Sequence, residues 1–299
     1  MKVTVAICTH NRAKDTGEAI ESVLAQSFDK EKIEIVVIDN RSTDHTAEVV
    51  LKLAKVHGSR IRYLLENKLG LSVARNRAIR EARGEYILFL DDDALASRHW
   101  VRHIVNVFES DPLIGCVGGK IDPIWEAQEP KWIPEEHRSV FTILDYSSGV
   151  EEMPAPSIPY GANVAFRASL FRQIAPFRED LGRVGNNLLS SEESELIARL
   201  RKDYKVYYTP FASVQHKIAK ERTTKKWFLK RIFWQGVSDA VKRQDRSALA
   251  VLKHSIRLMQ ALGSALISIF HFKKFIRQIV NICYRNGSLV GILRYNSRG

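Results

Sequence analysis

The sequence predicts an α/β protein with a doubly wound, mostly parallel sheet. Short apolar runs in the first 95 residues alternate with segments whose apolar residues have helical spacing, as at Ile20, Val23 and Leu24. The fourth run, Tyr86–Leu90, follows a Gly-Glu pair and passes directly into three aspartates, which is typical of a strand buried on both faces. Such strands lie in the middle of a parallel sheet that helices cover on both sides.

Four strands and the three helices between them follow one another in strict alternation. The strands are predicted over 3–8, 33–38, 61–65 and 86–90, and the helices over 13–26, 43–57 and 72–82. This order is typical of a doubly wound sheet, because each parallel connection needs a crossover helix. Later strands are predicted over 115–121, 205–208 and 212–216, and later helices over 190–200, from 224 onwards, over 247–272 and over 273–295.

The net charge of +12 is unevenly distributed along the chain. Residues 217–299 contain 18 Lys and Arg against three acids, a balance of +15, so residues 1–216 carry −3. We therefore expect a mildly acidic main domain over 1–245 and an amphipathic, basic helical segment over 246–299.

Cysteine usage and the first residues predict where the protein resides. The three cysteines lie far apart and fit no metal-ligand spacing, which favours a reducing cytosol. The first strand begins at once and leaves no room for a signal peptide, and no apolar run reaches the roughly 18 residues of a membrane-spanning helix. We expect a cytoplasmic protein.

Polar side chains follow three of the predicted strands, in the segments Thr9–Arg12, Asp39–Ser42 and Asp91–Asp93. Since the carboxyl ends of parallel strands lie at the same edge of a sheet, these groups should converge on one crevice. Three adjacent aspartates would repel one another without a cation, and Mg²⁺ or Mn²⁺ takes oxygen ligands and bridges to phosphates. The alternative is a solvated turn whose aspartates cap the next helix.

Two common nucleotide-binding motifs are missing from the sequence. The turn after the first strand contains no glycine, whereas a dinucleotide-binding turn needs several glycines for the close approach of a pyrophosphate. The Walker lysine motif is also absent. The sequence therefore argues against an NAD, FAD or P-loop domain.

Four segments resemble motifs of the family 2 glycosyltransferases. They are Val5–Arg12, Val37–Asp44, Gly70–Asn76 and Leu90–Asp93, and they occur in the family's order at comparable spacing. The resemblance implies a GT-A fold over residues 1–245 and a nucleotide-diphosphate sugar as donor, with UDP, dTDP or GDP as the nucleotide. It also implies Mg²⁺ or Mn²⁺ as cofactor and transfer with inversion at the anomeric carbon.

The resemblance places the donor nucleotide against the loops after the first two strands. Thr9 and Asn11 would line the base and ribose side, and Asp39 matches the aspartate that hydrogen-bonds the base. Many members have Asp-Gly where this chain has Asn40–Arg41, which leaves the base identity open. The implied donor-binding residues are Thr9, Asn11, Arg12, Asp39, Asn40, Ser42, Arg75 and Asp91.

The implied metal ligands are Asp91 and Asp93, which match the ends of the family's Asp-x-Asp motif, with Asp93 the stronger ligand. In related GT-A enzymes a histidine at the position of His216 can complete the metal site or contact the diphosphate. The alternative for His216 is a packed or capping residue, as for most single histidines.

The segment Pro159–Arg167 resembles the family's Gly-x-Asn-x-x-Phe-Arg segment and implies that Gly161 and Asn163 face the acceptor side of the sugar site. Glu192 and Glu193 stand in the place of the family's Glu-Asp pair, whose second member is the general base. Inverting transfer needs one carboxylate to take the acceptor's proton, so Glu193 is the expected base and Glu192 the expected acceptor-positioning residue. The alternative is that acids in a first helical turn complement the helix dipole.

The basic C-terminal helices combine aromatic, apolar and basic residues, a mixture that favours a segment lying in an anionic membrane surface. The alternatives are packing on the main domain or on a second subunit. Nucleic-acid binding is a third possibility, but no recognised reader motif is present and the main domain is acidic.

Together these observations predict an inverting, metal-dependent glycosyltransferase, peripheral on the cytoplasmic face of the membrane, with a glycan or lipid-linked hydroxyl as acceptor. Two other functions stay open from the sequence alone. One is a nucleotidyltransferase that makes sugar nucleotides, although its usual glycine- and lysine-rich phosphate loop is missing. The other is a non-catalytic binding protein that acts through its basic tail.

Overall fold

The alternation of strands and helices expected near the N-terminus is present in the computed structural model, which describes residues 1–185 and 187–295. Two parts of the sequence lie outside this description: residue 186, in a segment rich in glycine and asparagine for which the sequence predicts a loop over 181–187, and residues 296–299 at the end of the C-terminal segment. The described chain groups into two compact units by its internal contacts. Unit 1 consists of residues 1–124, 141–179 and 193–218, and unit 2 of residues 125–140, 180–192 and 219–299.

Unit 1 begins with a parallel sheet whose four strands alternate with three helices. The elements are β1 (Val3–Thr9), α1 (Ala13–Leu24), β2 (Ile33–Asp39), α2 (Thr46–His57), β3 (Ile61–Leu65), α3 (Leu71–Glu81) and β4 (Tyr86–Leu90). Strand β1 lies between β2 and β4, with Val3 paired to Ile33 on one side and to Tyr86 on the other. The predicted βαβαβαβ order is confirmed.

Antiparallel strands extend this parallel part, so the whole sheet is mixed: β8 pairs antiparallel with β4 and β6, and β9 pairs antiparallel with β5 and β7. The later elements are β5 (Ala94–Ala96), α4 (Trp100–Ser110), β6 (Ile114–Trp125), β7 (Glu151–Glu152), β8 (Asn163–Arg167), α5 (Glu192–Leu200) and β9 (Lys205–Ile218). The strand order is β3-β2-β1-β4-β8-β6-β9-β5, and β7 pairs with β9. The two strands predicted over 205–208 and 212–216 form one continuous strand, β9.

Helices cover both faces of this sheet, and a hydrophobic core fills each side. Ile20 of α1, Val50 of α2 and Ile104 of α4 pack on one face. Ala74 of α3 and Leu196 of α5 pack on the other. Every residue of β4 is buried, which explains its continuous apolar run. Strand β2 is buried throughout as well, and Glu34 within it is paired with Thr4 and Arg62.

Unit 2 contains three long helices, α6 (Lys225–Arg243), α7 (Ala248–Ile267) and α8 (Phe272–Val290), followed by a π-helical turn, Gly291–Tyr295. Helices α6 and α8 cross closely at two glycines. A Cβ atom on Gly236 would lie 2.1 Å from the Tyr284 carbonyl oxygen, and one on Gly287 would lie 1.9 Å from that of Phe233. The predicted C-terminal helices are therefore present and packed on one another.

The contact units do not follow the expected division at residue 245. Helix α6 groups with α7 and α8, and residues 125–140 and 180–192 join them. The division into functional domains stays a prediction. Among the residues that the structure describes, no helix has both the length and the apolar character to cross a bilayer.

Candidate active site

The carboxyl ends of β1, β2 and β4 lie side by side at one edge of the sheet. Thr9, the last residue of β1, pairs with Asp39, the last residue of β2, while Leu90 ends β4 just before the aspartate triplet. The backbone N–H of Asn40 donates to the Thr9 carbonyl oxygen at 2.8 Å, which joins the first two loops. The three polar strand ends of unit 1 therefore border one common site.

Asp91, Asp93 and His216 come together at this edge. Each offers one ligand atom, and these atoms all lie within 4.8 Å of one another. Strand β5 follows the triplet and pairs antiparallel with β9, in a register that sets Ala94 opposite His216. The Lys217 N–H also donates to the Asp93 carbonyl oxygen at 2.9 Å. This pairing brings a histidine distant in sequence to the aspartates.

The donor atoms of this cluster fit a divalent cation. His216 Nδ1 lies 3.2 Å from the Phe141 carbonyl oxygen, which can only accept, so Nδ1 carries the hydrogen. Nε2 then presents a lone pair to Asp93 Oδ1 at 3.2 Å. Two buried acceptors that face each other need a proton or a cation between them. A backbone carbonyl that fixes the tautomer is also the usual partner of a metal-binding histidine.

Arg12 lies among the acidic side chains of this site. Its Nη1 is 2.8 Å from Asp93 Oδ2 and 3.4 Å from Asp15 Oδ2, and its Nε is 3.7 Å from Asp92 Oδ1. Burial, together with the neighbouring charge of Asp93, raises the pKa of the Asp92 carboxyl to about 7. Arg12, predicted in the donor-binding set, thus neutralises part of the triplet.

Arg75 connects the aspartate triplet to Glu193. Nη1 of Arg75 donates to Glu193 Oε1 at 2.8 Å, and Nη2 donates to Asp91 Oδ1 at 3.3 Å. The guanidinium carbon lies 5.9 Å from the ring centre of Phe89 and 5.6 Å from that of Phe177. Because Arg75 is only 2% exposed, its position is set by this packing. One buried guanidinium therefore fixes two carboxylates of the predicted site.

Gly161 lies directly against this ion pair. A Cβ atom at residue 161 would be 2.1 Å from Arg75 Nη2 and 2.2 Å from Glu193 Oε1. Both distances are too short for any side chain, so the absence of a Cβ allows the pair to form. The predicted sugar-site glycine is thus beside the predicted base.

On the nucleotide side, Asp39 is held at both carboxylate oxygens. Oδ1 accepts the Ser42 N–H at 2.7 Å, and Oδ2 accepts the Tyr63 hydroxyl at 2.8 Å. Burial and the hydrogen bond to Asp39 raise the pKa of Tyr63 to about 12. Each carboxylate oxygen has a further lone pair, so Asp39 can still accept from a base.

Other predicted donor-binding residues brace the loops that surround Asp39. The Asn40 amide donates to the carbonyl oxygens of residues 66 and 68 and accepts the Gly70 N–H, at 2.8–3.2 Å. Asn11 accepts the Thr43 N–H at 2.6 Å, and its own N–H donates to Ser42 Oγ at 2.9 Å. Thr9 Oγ1 lies 2.8 Å from the Thr16 hydroxyl. Their predicted contacts with a nucleotide stay predictions.

Asn163 has a different position from the one expected. Its side chain is fully buried, accepts the Trp100 Nε1–H at 2.8 Å and donates to the carbonyl oxygens of Lys120 and Ala212 at 3.0 and 2.8 Å. Because these bonds point into the interior of unit 1, the amide is not available to a sugar in this structure. Asn163 instead joins α4, β6, β8 and β9.

Glu192 is the first residue of α5 and is 3% exposed. It groups with unit 2, whereas Glu193 groups with unit 1. Its predicted role in positioning an acceptor stays a prediction.

Several residues that support the site were not found by sequence reasoning. Tyr63 holds Asp39, the Phe141 carbonyl orients His216, and Phe89 with Phe177 frames Arg75. The alternation of β3 could have placed Tyr63 on a face of the sheet. No local signal marks Phe141 or Phe177, because both reach the site through long-range packing.

An α/β sheet of this order, with aspartates after the fourth strand and a histidine returned by an antiparallel strand, defines a transferase of the GT-A class. The family model described as glycosyl transferase family 2 matches residues 4–175, more than half of the chain. The chain belongs to this family and is a glycosyltransferase. The nucleotidyltransferase and the non-catalytic binding protein, left open by the sequence, are thereby set aside.

Two relatives have names that describe glycosyl transfer. Glucosyl-dolichyl phosphate glucuronosyltransferase of Haloferax volcanii is 29% identical over 245 residues, which cover 81% of this chain and 77% of that protein. The poly(ribitol-phosphate) beta-N-acetylglucosaminyltransferase TarS of Staphylococcus aureus is 37% identical over 117 residues, 38% of this chain and 20% of TarS.

Solved structures support the same fold. The mannosyltransferase PcManGT from Pyrobaculum calidifontis, in complex with GDP-Man and Mn²⁺, has a TM-score of 0.65 and 19% identity, covering 98% of this chain and 87% of its own. TarS 1-349 in complex with UDP-GlcNAc has a TM-score of 0.57 and 18% identity, and the match covers 96% of this chain and 91% of the TarS chain. The predicted GT-A fold is confirmed.

Proposed function

We propose that this glycosyltransferase is inverting and metal-dependent, and moves a sugar from a nucleotide-diphosphate sugar to a hydroxyl of a glycan or lipid-linked acceptor. One observation carries the proposal. Arg75 bonds Glu193 with one nitrogen and Asp91 with another, so the expected base and the expected metal site share one rigid, buried group. A base must lie beside the donor for single-step displacement, and this arrangement provides that proximity.

In this reaction Glu193 takes the proton of the acceptor hydroxyl while the hydroxyl oxygen forms a bond to the anomeric carbon. The bond between that carbon and the donor phosphate breaks, and its electron pair leaves with the nucleoside diphosphate. Attack and departure on opposite sides of the carbon invert its configuration. Arg75 orients the Glu193 carboxylate, since it binds Oε1 at 2.8 Å.

Asp91, Asp93 and His216 are the residues that would hold Mg²⁺ or Mn²⁺. A bound ion would supply positive charge to the diphosphate that leaves. The two carboxylates suit either ion, whereas an imidazole ligand is better accepted by a transition ion. We therefore infer a preference for Mn²⁺ over Mg²⁺. Arg12, 2.8 Å from Asp93, adds a second cation beside the diphosphate.

The donor nucleotide in this proposal lies along the loops after β1 and β2, with Asp39 as the base acceptor and Asn11 and Ser42 beside the ribose. The names of similar proteins support nucleotides of the UDP and GDP types. Thymine has the same N3–H as uracil, and Asp39 could accept it, so dTDP fits as well as UDP. The lipid-linked acceptor is supported by the name of the Haloferax relative, a glucosyl-dolichyl phosphate glucuronosyltransferase.

We also infer that the enzyme works at a membrane surface. A lipid-linked acceptor lies in a bilayer, and the basic balance of residues 217–299 would attract anionic lipids. Association would be peripheral.

The test is a panel of UDP-, dTDP- and GDP-sugars incubated with the enzyme and Mn²⁺, Mg²⁺ or EDTA. We expect slow donor hydrolysis with at least one sugar nucleotide, fastest with Mn²⁺ and abolished by EDTA. His216→Ala should raise the Mn²⁺ concentration needed for half-maximal rate by at least about tenfold. His45→Ala, at an exposed histidine on a neighbouring loop, is the control and should leave it unchanged. Hydrolysis that survives EDTA would contradict the proposal.

A further inference from the structure

Helix α7 has its large apolar side chains on the outside of unit 2. The outward side bears Leu252, Ile256, Met259 and Leu266, which are 50–76% exposed, and Phe270, just beyond the helix, which is 93% exposed. We name these five residues the α7 face. We infer that the α7 face is the surface by which this enzyme docks on an anionic lipid bilayer, an inference that rests on the proposed peripheral function.

The buried positions of α7 bear small or polar residues, and Val251 packs beside them partly buried. The buried positions of the helix are Ala250, His254, Ala261 and Ala265. A helix that served only as a packing element would show the opposite arrangement, with its large apolar residues inside. The inverted pattern of α7 is therefore unfavourable in water unless another apolar phase covers the outward side.

The spacing of the exposed residues makes them one continuous stripe. Leu252, Ile256, Met259 and Leu266 follow one another at intervals of four, three and seven residues, so they lie on one line along the helix surface. Phe270 follows in the turn directly after the helix. Gly263, which lies in the seven-residue gap, would have nothing within 4 Å of an added Cβ. The stripe is thus open along its whole length.

The two other long helices of unit 2 do not share this pattern. Phe228 and Ile232 of α6 and Val280 of α8 are buried together in one apolar cluster. Val237 and Val241 of α6 are buried in another. Apart from Phe272 at the start of α8, which is exposed, the described large apolar residues of α6 and α8 are at least partly buried. Helix α7 is therefore the one of the three whose large apolar residues are mostly exposed.

The charges around the α7 face identify the occupant as an anionic surface. Residues 246–299 contain nine Lys and Arg and no acid. Lys253 and Arg257 flank the stripe on α7, and Lys273 and Lys274 follow Phe270 at the start of α8; all four are exposed. Two copies of this face would repel each other, whereas anionic headgroups would bind the cations while acyl chains cover the stripe.

The orientation of the helix follows from its dimensions. No described helix can cross a bilayer, and the packed side of α7 stays bound to unit 2. The helix must therefore lie parallel to the membrane surface, with the stripe at the boundary between headgroups and acyl chains.

Co-sedimentation of the full chain with phosphatidylglycerol–phosphatidylcholine vesicles tests this inference. We expect the unaltered protein to bind, and the double variant Met259→Gln and Leu266→Gln to bind at least about tenfold more weakly, since two exposed apolar groups no longer enter the bilayer. The matched control is Leu51→Gln and Val56→Gln, at exposed positions of α2, and should bind normally. Phosphatidylcholine vesicles without the anionic lipid should bind far less than the mixed ones.

Three outcomes would overturn the inference: no binding by the unaltered protein, equal binding by the α7 variant, or a change of that variant from dimer to monomer in size-exclusion chromatography. Calorimetric binding of UDP or GDP with Mn²⁺ is measured on the same samples and should be equal in all variants. If the unaltered protein does not bind the nucleotide, the result counts against the proposed function. If it binds the nucleotide normally but does not bind vesicles, the result counts only against the inference that the α7 face docks on a bilayer.

Discussion

Glu193 and Asp91 are two carboxylates bound by the same guanidinium, and this shared partner determines which single residues matter. Arg75 is buried against the rings of Phe89 and Phe177, and this packing restricts its movement if one of the carboxylates shifts. A change that separates Arg75 from Glu193 should disturb the base without removing any charged group. Gly161 offers such a change, because its Cα hydrogen faces both atoms of the pair.

Gly161→Ala would place a methyl group about 2 Å from Arg75 Nη2 and Glu193 Oε1. We expect the transfer rate to fall about a hundredfold, as the base moves from its position, while Mn²⁺-dependent nucleotide binding persists. Gly149→Ala, where an added Cβ has nothing within 4 Å, is the matched control. A Gly161→Ala enzyme with normal turnover would show that the pair does not position the base.

Residues of the site were predictable where a short motif contains them. Asp91, Asp93, Arg75 and Glu193 lie in segments that resemble family motifs, and the structure brings all four together. Asn163 was assigned from such a segment as well, yet its amide lies in the interior. A motif predicts that a residue matters, but it does not distinguish a side chain that faces the ligand from one that supports the site from behind.

At the scale of elements, the alternation of strands and helices was predictable because hydrophobic period is a local property. The antiparallel half of the sheet was not, since strand pairing depends on contacts between residues far apart in sequence. The register of β5 on β9 is the clearest case. It sets Ala94 opposite His216, and nothing local to either residue predicts that pairing.

Substitution of Asn163 tests how much its buried hydrogen bonds contribute to the stability of unit 1. Asn163→Ala leaves the Trp100 Nε1–H and two carbonyl oxygens without their partner in the interior. We expect the free energy of unfolding to fall by about 3 kcal/mol, measured by urea titration, because unpaired buried polar groups retain their desolvation cost. Asn106→Ala, at an exposed position of α4, is the control and should be near neutral. A stable Asn163→Ala protein with a weakened sugar affinity would restore the role that the sequence suggested.

For the whole molecule, the separation of charge along the chain was predictable from the sequence, but the packing of the basic C-terminal helices was not. The count of acids and bases predicts an acidic main part and a basic C-terminal part. It does not predict that α6 and α8 bury their large apolar residues while α7 exposes its own, because all three helices have amphipathic patterns. Which face is left exposed depends on how the helices pack, and contacts such as those of Gly236 with α8 and of Gly287 with α6 join residues far apart in sequence.

In the proposed function the two units have different tasks. Unit 1 contains the candidate metal ligands, the expected base and the loops that border the donor site. Unit 2 contains the α7 face. We therefore expect a variant of the α7 face to lose membrane binding, and a variant of Glu193 to lose glycosyl transfer.

The most direct test of the central claim is the rate of glycosyl transfer by Glu193→Gln beside its affinity for the donor. With Mn²⁺ and the sugar nucleotide that the panel identifies, we expect the rate constant to fall about 10²–10⁴-fold, since glutamine cannot take the acceptor's proton. The dissociation constant of the nucleoside diphosphate should stay within about twofold, because Glu193 accepts no bond from the donor in this mechanism. Glu195→Gln, two residues further along α5 and paired with Arg199, is the control and should transfer normally. A Glu193→Gln enzyme that transfers sugar at the normal rate would contradict the account.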